Sequence, residues 1–361
     1  MKNIRTIAMY LPQYHPIPEN DEWWGKGFTE WFNVAKAKPK FKGHYQPHIP
    51  TELGFYDLRL PQVLEEQSKI AKEYGIHGFC FYHYWFNGKK LLEKPIEEML
   101  FSKKPDFPFM LCWANESWSR AWDGKDNDII LEQTYSRDDD SKHFEYLVPY
   151  FKDPRYIRVD NKPVFIIYNS VKFPDIKQTI STWRRMSKEE GFEIYLCRFE
   201  TFGNFGKSYL DVGFDAACQF PPFGRTYRNF IKDHPIRLFK KTLNLFANNK
   251  FGNIYNYKEY VEYNCKQDLY DYKIYPGIMP SWDNSPRKDR GYIIFNNSTP
   301  SLYKMWLTHI VKYFKPYSSE ENFIFINAWN EWAEGNHLEP CIKWGRAYLE
   351  ATYEVLSSSI K

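Results

Sequence analysis

Two glutamates three residues apart, Glu331 and Glu334, lie in the stretch NAWNEWAEGNHLEP (327–340), shortly after the apolar run NFIFI. Paired carboxylates can do acid–base work on a glycosidic bond: one, with a raised pKa, protonates the leaving oxygen while the other acts as base or nucleophile. They can cooperate if the chain turns into a helical arc after Ala328, because residues three apart on a helix sit about 5–6 Å apart between Cβ atoms. A fully extended chain would put them on opposite faces. Two other readings stay open here: Glu331 as the cap of a following helix, or as an ion-pair partner of Arg346.

A second set of candidates surrounds the pair. Aromatic residues make up 19% of the chain, with 13 Trp and 28 Tyr, many beside Asn, Glu, Asp or His. Rings with polar neighbours suit flat, hydroxyl-bearing ligands such as sugars, and core packing is the competing reading. The candidate sugar contacts are Tyr10, Gln13, His83, Trp85, Trp113, Asn115, Glu116, Tyr168, Arg198, Gln219, Trp282, Asp283, Asn330 and Trp332. Each falls at or near the end of an apolar run. Of these, Trp85, Trp113 and Trp282 are expected to stack on a ligand. The pair itself should divide its labour, one carboxyl protonated beside a ring such as Trp332 and the other ionised with help from groups such as Asn330 or Tyr10.

The elements that must position these residues follow from periodicity. Apolar runs at 5–11, 78–86, 107–115, 163–169, 192–200, 214–220, 274–282 and 322–329 read as strands, alternating with amphipathic helices at about 60–74, 91–101, 139–152, 174–190, 257–267, 299–314 and 343–358. Near-continuous apolar strands in eight strand–helix units predict α/β architecture, a single (β/α)8 barrel over 1–361. A doubly wound open sheet is the alternative. In a barrel the strand C-terminal ends form one rim, where the candidates converge. The long segment 223–257 is expected to be a lid or flap. RDDDSK (137–142) reads as a helix start capped by Asp138 or Asp139.

Composition narrows the classes. The chain has 361 residues, net charge +4 from 49 basic and 45 acidic residues, and no long run of like charge, which disfavours nucleic acid as partner. No apolar run reaches the roughly 20 residues that span a bilayer, and the N-terminus lacks the features of a secretion signal. Six dispersed cysteines without a CxxC pattern fit reduced thiols in a cytoplasmic protein and argue against zinc.

At WNEWAEGNHLEP the chain resembles the EWHEG...EP signature of glycoside hydrolase family 99, the endo-α-mannosidases, and their bacterial relatives, the WbsX-type proteins of polysaccharide biosynthesis. The closer likeness is to the WbsX type, through YLPQYHPIPENDEWWGKGFTEW, QPHIPTELGFYDLR, GFCFYHYWF and CWANESWSRAWDG. The resemblance implies a (β/α)8 barrel, no metal or other cofactor, a carbohydrate partner that could be lipid-linked, and retention of configuration. It assigns Glu331 as base on the substrate's own 2-hydroxyl, giving a 1,2-anhydro sugar, and Glu334 as acid/base. It also implies that Glu30, in GFTEWFN beside Trp31, holds a sugar hydroxyl; a helix-start cap with Thr29 is the other reading. Ala333 departs from the histidine of the family 99 signature, which puts the mannosidase's substrate detail in question. Hydrolysis, transfer in O-antigen or capsule assembly, and non-catalytic sugar binding are the three functions to separate.

Overall fold

The structure is a computed structural model that describes residues 4–120, 125–201, 203, 205–246, 251–267 and 270–358. Its centre is a parallel barrel built from Arg5–Tyr10, Gly78–Phe86, Phe109–Trp113, Lys162–Ile167, Tyr195–Glu200, Ala216–Gln219, a seventh segment in two pieces, Ile274–Tyr275 and Gly277–Ile278, and Phe323–Ile326. Each strand pairs in parallel with its neighbours in sequence, and the eighth returns to the first with Thr6 opposite Ile324. Burial on both faces explains the lack of polar alternation: all nine residues of Gly78–Phe86 are buried.

The seventh segment closes the ring. Ile274–Tyr275 pairs with the sixth strand and Gly277–Ile278 with the eighth. Pro276 between them has no N–H to give to a ladder, and its carbonyl accepts from Phe325 at 2.9 Å while Gly277 N donates to Gln219 Oε1 at 3.1 Å. Glycine is needed at 277, because a Cβ there would lie 2.5 Å from the Gln219 carbonyl oxygen. The expected single strand 274–282 therefore ends early. Trp282–Asp283 belongs instead to a small sheet with Ile293–Asn296 and Asn253–Asn256.

Helices Pro61–Glu73, Lys94–Ser102, Arg137–Phe151, Ile176–Glu189, Tyr257–Asn264, Pro300–Tyr313 and Ala347–Ser358 correspond to the seven expected. The cap at 136–139 is a correction: Ser136 Oγ, not an aspartate, accepts from Asp139 N at 3.1 Å. The 223–257 segment contains two helices, Arg225–Lys232 and Pro235–Phe246, before the strand Asn253–Asn256. All six cysteines are free thiols, and among the described residues no helix is long and apolar enough to cross a membrane.

Candidate active site

The turn that carries the glutamate pair is a compact hairpin. Asn330–Glu331 pairs antiparallel with Asn336–His337, and a single 3₁₀ turn, Trp332–Glu334, joins them. Three residues per turn bring side chains at i and i+3 into line, so Glu331 and Glu334 point the same way. Gly335 closes the turn at φ +55°, where a Cβ would lie 3.2 Å from that of Asp283. Asn330 ties the hairpin to the barrel: its Oδ1 accepts from Leu11 N at 2.8 Å, and its Nδ2 donates to Leu11 O at 3.0 Å. Trp332 N donates to the Tyr14 hydroxyl at 3.2 Å, and the Tyr14 hydroxyl donates to Asn330 O. Neither open alternative for Glu331 is seen: its side chain caps no helix, and Arg346 pairs with Glu52 and Glu73.

The two carboxylates open on a cavity of about 360 Å³, in the range of small-molecule sites. Leu11, Gln13, Tyr82, Tyr84, Glu116 and Tyr168 line it together with Trp24, Trp118, Phe223 and Trp282. At its edge Arg287 joins three acids. Its Nη1 is 2.7 Å from Glu334 Oε1, its Nη2 2.8 Å from Glu331 Oε2, and its Nε and Nη2 3.0 and 2.9 Å from Glu30 Oε2. The two glutamate contacts plus the width of one guanidinium bound the nearest Glu331 and Glu334 oxygens at about 8 Å. A bound of that size admits both the retaining and the inverting spacing of paired glycosidase carboxylates.

The three carboxylates share this one cation. Burial pushes Glu331 up to about 8, against the pull of Arg287 and with further repulsion from Glu334 and Glu30. Burial also raises Glu334, again opposed by Arg287. Arg287 is held firmly charged: its three acid partners outweigh the cost of burying it. Both carboxyls of the pair are thus pushed toward their protonated forms by burial and drawn back toward ionisation by Arg287.

Arg287 is positioned by Asp283. The Asp283 carboxylate accepts from Gln46 Nε2 at 2.5 Å and from Ser285 N at 2.9 Å, and contacts His44 Nε2 at 2.7 Å. Arg287 N donates to Asn284 O in the turn that follows, and Asn284 Oδ1 accepts from Ile293 N across the hairpin. Burial would raise Asp283, yet the hydrogen bonds from His44, Gln46 and Ser285 hold it below the usual aspartate value.

The remaining candidates divide by strand parity. Gln13, Glu116, Tyr168 and Trp282 reach the cavity wall. His83, Trp85 and Trp113 do not: they point outward, into the layer between barrel and helices. Trp85 stacks on His143 with centroids 4.8 Å apart and donates to Asp139 Oδ1 at 2.9 Å, Trp113 packs on His143 at 4.4 Å, and His83 Nε2 is 2.8 Å from His143 Nε2. The expected stacking role of Trp85 and Trp113 is corrected accordingly. The inward neighbours Tyr82 and Tyr84 occupy the wall instead.

Tyr10 also points outward, its hydroxyl donating to Gln67 Oε1 at 2.6 Å, so it does not support Glu331. Trp332 stacks on His337 at 3.7 Å and donates to Glu339 Oε2 at 2.6 Å behind the turn. Trp31 donates to Tyr56 O at 2.7 Å. Asn115 is buried, its Nδ2 donating to Asn169 O and its Oδ1 accepting from Asn169 N. Arg198 is fully buried beside Glu200 and Gly206 O, and Gln219 braces Gly277. Glu30 is fully buried, bound to Arg287 and accepting from Asn33 Nδ2 at 3.3 Å; its side chain makes no cap with Thr29. Asp283, Asn330, Trp31, Asn115, Arg198, Gln219 and Trp332 are therefore parts of the frame, not of the cavity wall.

Comparisons with known proteins bear on the fold and the family. At the level of fold, the endo-α-mannosidase of glycoside hydrolase family 99 from Bacteroides thetaiotaomicron superposes over 100% of this chain and 98% of its own, with a TM-score of 0.56 at 15% identity. A second solved structure, described as a glycoside hydrolase-like protein, gives 0.58 at 13% identity over 98% of this chain and 94% of its own. The protein WxcX of Xanthomonas campestris pv. campestris strain B100, itself uncharacterised, is 42% identical over 353 residues, 97% of this chain and 49% of its own length. WxcX of strain ATCC 33913 matches to the same extent. The chain thus spans about half the length of the curated relatives it matches. The family described as Glycosyltransferase WbsX matches residues 6–352, and with a barrel of the family 99 kind carrying the paired glutamates on its final turn, the chain belongs to the WbsX family.

Proposed function

We propose that this chain is a carbohydrate-active enzyme that breaks or transfers α-glycosidic bonds of a bacterial polysaccharide with retention, through a 1,2-anhydro sugar. The observation that carries the reading is that Glu331 and Glu334 share one aromatic-walled cavity under a single guanidinium. In the first step the Glu331 carboxylate takes the proton of the sugar 2-hydroxyl. O2 then attacks C1, the C1–leaving-oxygen bond breaks, and the leaving oxygen takes the Glu334 proton. In the second step Glu334 takes a proton from the acceptor, whose oxygen attacks C1. The C1–O2 bond breaks, and O2 recovers its proton from Glu331. Two inversions give net retention.

This sequence needs Glu334 protonated and Glu331 ionised. A sugar oxygen entering between Glu334 and Arg287 would free Glu334 from its cation and leave the guanidinium to Glu331 and Glu30, lowering Glu331 and raising Glu334. Tyr82, Tyr84, Trp118 and Trp282 supply the faces on which a sugar ring can lie.

The second reading is transfer in polysaccharide assembly, favoured by the description of the family. The same two carboxylates serve both, because water or a sugar hydroxyl can open the anhydride. The purified chain is incubated with α-mannan and with O-antigen and capsular oligosaccharides, and products are read by mass spectrometry and by the anomeric signals in NMR. New reducing ends mean hydrolysis; longer chains mean transfer. Products of inverted configuration would overturn the mechanism. Absence of any product with every glycan, alongside measurable binding, would favour the non-catalytic reading.

A further inference from the structure

The helix Pro235–Phe246 is amphipathic the wrong way round. It meets the protein through Arg237, Lys241 and Asn244: Arg237 lies 3.8 Å over the Phe230 ring, Lys241 5.1 Å over the Tyr227 ring, and Asn244 Nδ2 donates to Phe251 O at 2.7 Å. Arg237 also pairs with Glu259. Its large apolar side chains face away, Ile236, Leu238, Phe239, Leu243, Leu245 and Phe246 all being exposed, Phe246 to 85%. At 3.6 residues per turn these six occupy about half of the helix circumference, opposite the packed edge. A surface helix of a free-standing domain does the reverse and turns its apolar stripe inward, and contiguous apolar patches of this kind mark interaction sites.

The charge of the segment identifies the partner. Residues 225–246 hold six cations, Arg225, Arg228, Lys232, Arg237, Lys240 and Lys241, against the single acid Asp233. Lys240 is exposed at one edge of the apolar arc and Lys232 is exposed on the preceding helix, where their ammonium groups can reach anionic groups while the rings enter an apolar phase. An apolar face rimmed by lysine on a short helix is the pattern of an interfacial helix that lies in the plane of an anionic membrane. We propose that Pro235–Phe246 docks this protein on an anionic phospholipid surface. The helix is joined by Arg225–Lys232 to Phe223, which walls the cavity and meets Trp282 at 5.1 Å. Docking would place the cavity within a short distance of the bilayer and favour glycans carried on lipid, a consequence that rests on the proposed function; the docking itself does not.

The test is co-sedimentation of the full chain with vesicles of phosphatidylcholine containing one quarter phosphatidylglycerol, against vesicles of phosphatidylcholine alone. Binding to the anionic vesicles, weakened by added salt and by Lys232→Glu with Lys240→Glu, is the expected result. The double substitution Phe239→Asp with Leu243→Asp should cut it by about tenfold or more, with an unchanged far-ultraviolet circular dichroism spectrum, since both side chains are exposed. Failure to sediment with anionic vesicles overturns the proposal, and so does binding that the aspartate substitutions leave intact. A dimer in light scattering that the same substitutions disperse, with no vesicle binding, would assign the face to a second copy of the chain and likewise overturn it. Binding that fails while glycan turnover persists removes the docking alone; turnover that fails while binding persists removes the catalytic reading alone.

Discussion

Arg287 Nη1 lies 2.7 Å from Glu334 Oε1, so the residue proposed as the acid is tied to a cation. The same guanidinium reaches Glu331 and Glu30, and is therefore the only group among the described contacts of these three acids that balances them together. Replacing it with methionine leaves buried carboxylates without a cation, a change that costs about 3–5 kcal/mol where a buried pair is broken. Because protonation can relieve the repulsion, the loss should be larger at pH 8 than at pH 5. Thermal unfolding of Arg287→Met at the two pH values checks this; an equal loss at both would contradict it. Arg287→Lys should retain part of the stability, since a point charge cannot reach all three acids as a planar fork does.

Glu331 gives stability a pH dependence of definite sign. Its folded-state pKa of about 8 lies above the ordinary glutamate value of 4.5. Below the lower value both folded and unfolded chains are protonated at this site. Between the two only the unfolded chain ionises, so stability falls as pH rises from about 4.5 to about 8 and then levels. Glu331→Gln should flatten that decline and raise the unfolding temperature relative to wild type more at pH 8 than at pH 5. A variant whose stability tracks the wild type across this range would show that the proton sits elsewhere in the cluster.

Asp283 behaves oppositely. Its hydrogen bonds from His44, Gln46 and Ser285 hold its pKa below that of an ordinary aspartate, so its contribution is present near neutrality and is lost as pH falls through its folded value. Asp283→Ala should cost about 1–3 kcal/mol at pH 7, from the donors left unpaired, and much less in strong acid. Because the same hydrogen bonds fix the loop that carries Arg287, turnover should fall further than stability alone explains. Guanidinium chloride unfolding and steady-state kinetics on one preparation separate the two effects.

What the sequence revealed, and what it hid, has one physical origin. The eight strands were legible because each is an apolar run, and all but the fifth are followed by an amphipathic helix. Which side chains at their ends face inward was not, because a strand buried on both faces carries no alternation to read. His83 and Trp85 were singled out where Tyr82 and Tyr84 reach the cavity, a shift of one residue that exchanges the two faces. Arg287 was missed because it sits on a hairpin excursion beyond the seventh strand. The unusually long polar stretch DNSPRKDRGY between Trp282 and the helix starting at Pro300 was the available signal. The glutamate pair itself was legible, since an i, i+3 spacing needs only one turn of any tight helix to align it.

Trp282 and Trp85 provide a direct contrast between wall and frame. Trp282 faces the cavity beside Phe223, so Trp282→Ala should raise KM for a glycan with a smaller change in kcat. Trp85 is stacked on His143 and hydrogen-bonded to Asp139, so Trp85→Ala should cost about 3–5 kcal/mol of stability, as large-to-small core changes do. Its effect on KM should be small in whatever fraction remains folded. Thermal unfolding and glycan titration of both variants test the parity assignment, and a Trp85 variant that selectively loses glycan affinity would reverse it.

Glu334→Gln bears most directly on the chemistry. The amide preserves size and a hydrogen bond to a sugar oxygen but cannot donate a proton to a leaving group. Turnover of a glycan with a poor leaving group should therefore fall by about 10²–10⁴-fold, while affinity is kept. A substrate whose leaving group departs without a proton should recover much of the first step, because Glu331 can still draw the proton from the 2-hydroxyl. The second step would remain slow without a base, so the 1,2-anhydro sugar should build up as a burst, and azide, which needs no deprotonation, should trap it. Glu331→Gln should show no such rescue, since its loss removes the group that makes O2 a nucleophile. With both pH limbs of wild-type activity set by this coupled pair, Glu334→Gln should lose the alkaline limb, where wild type fails as its acid ionises. Wild-type turnover in both variants would leave Arg287 as a structural tie and the turn at Trp332–Glu334 without a catalytic role.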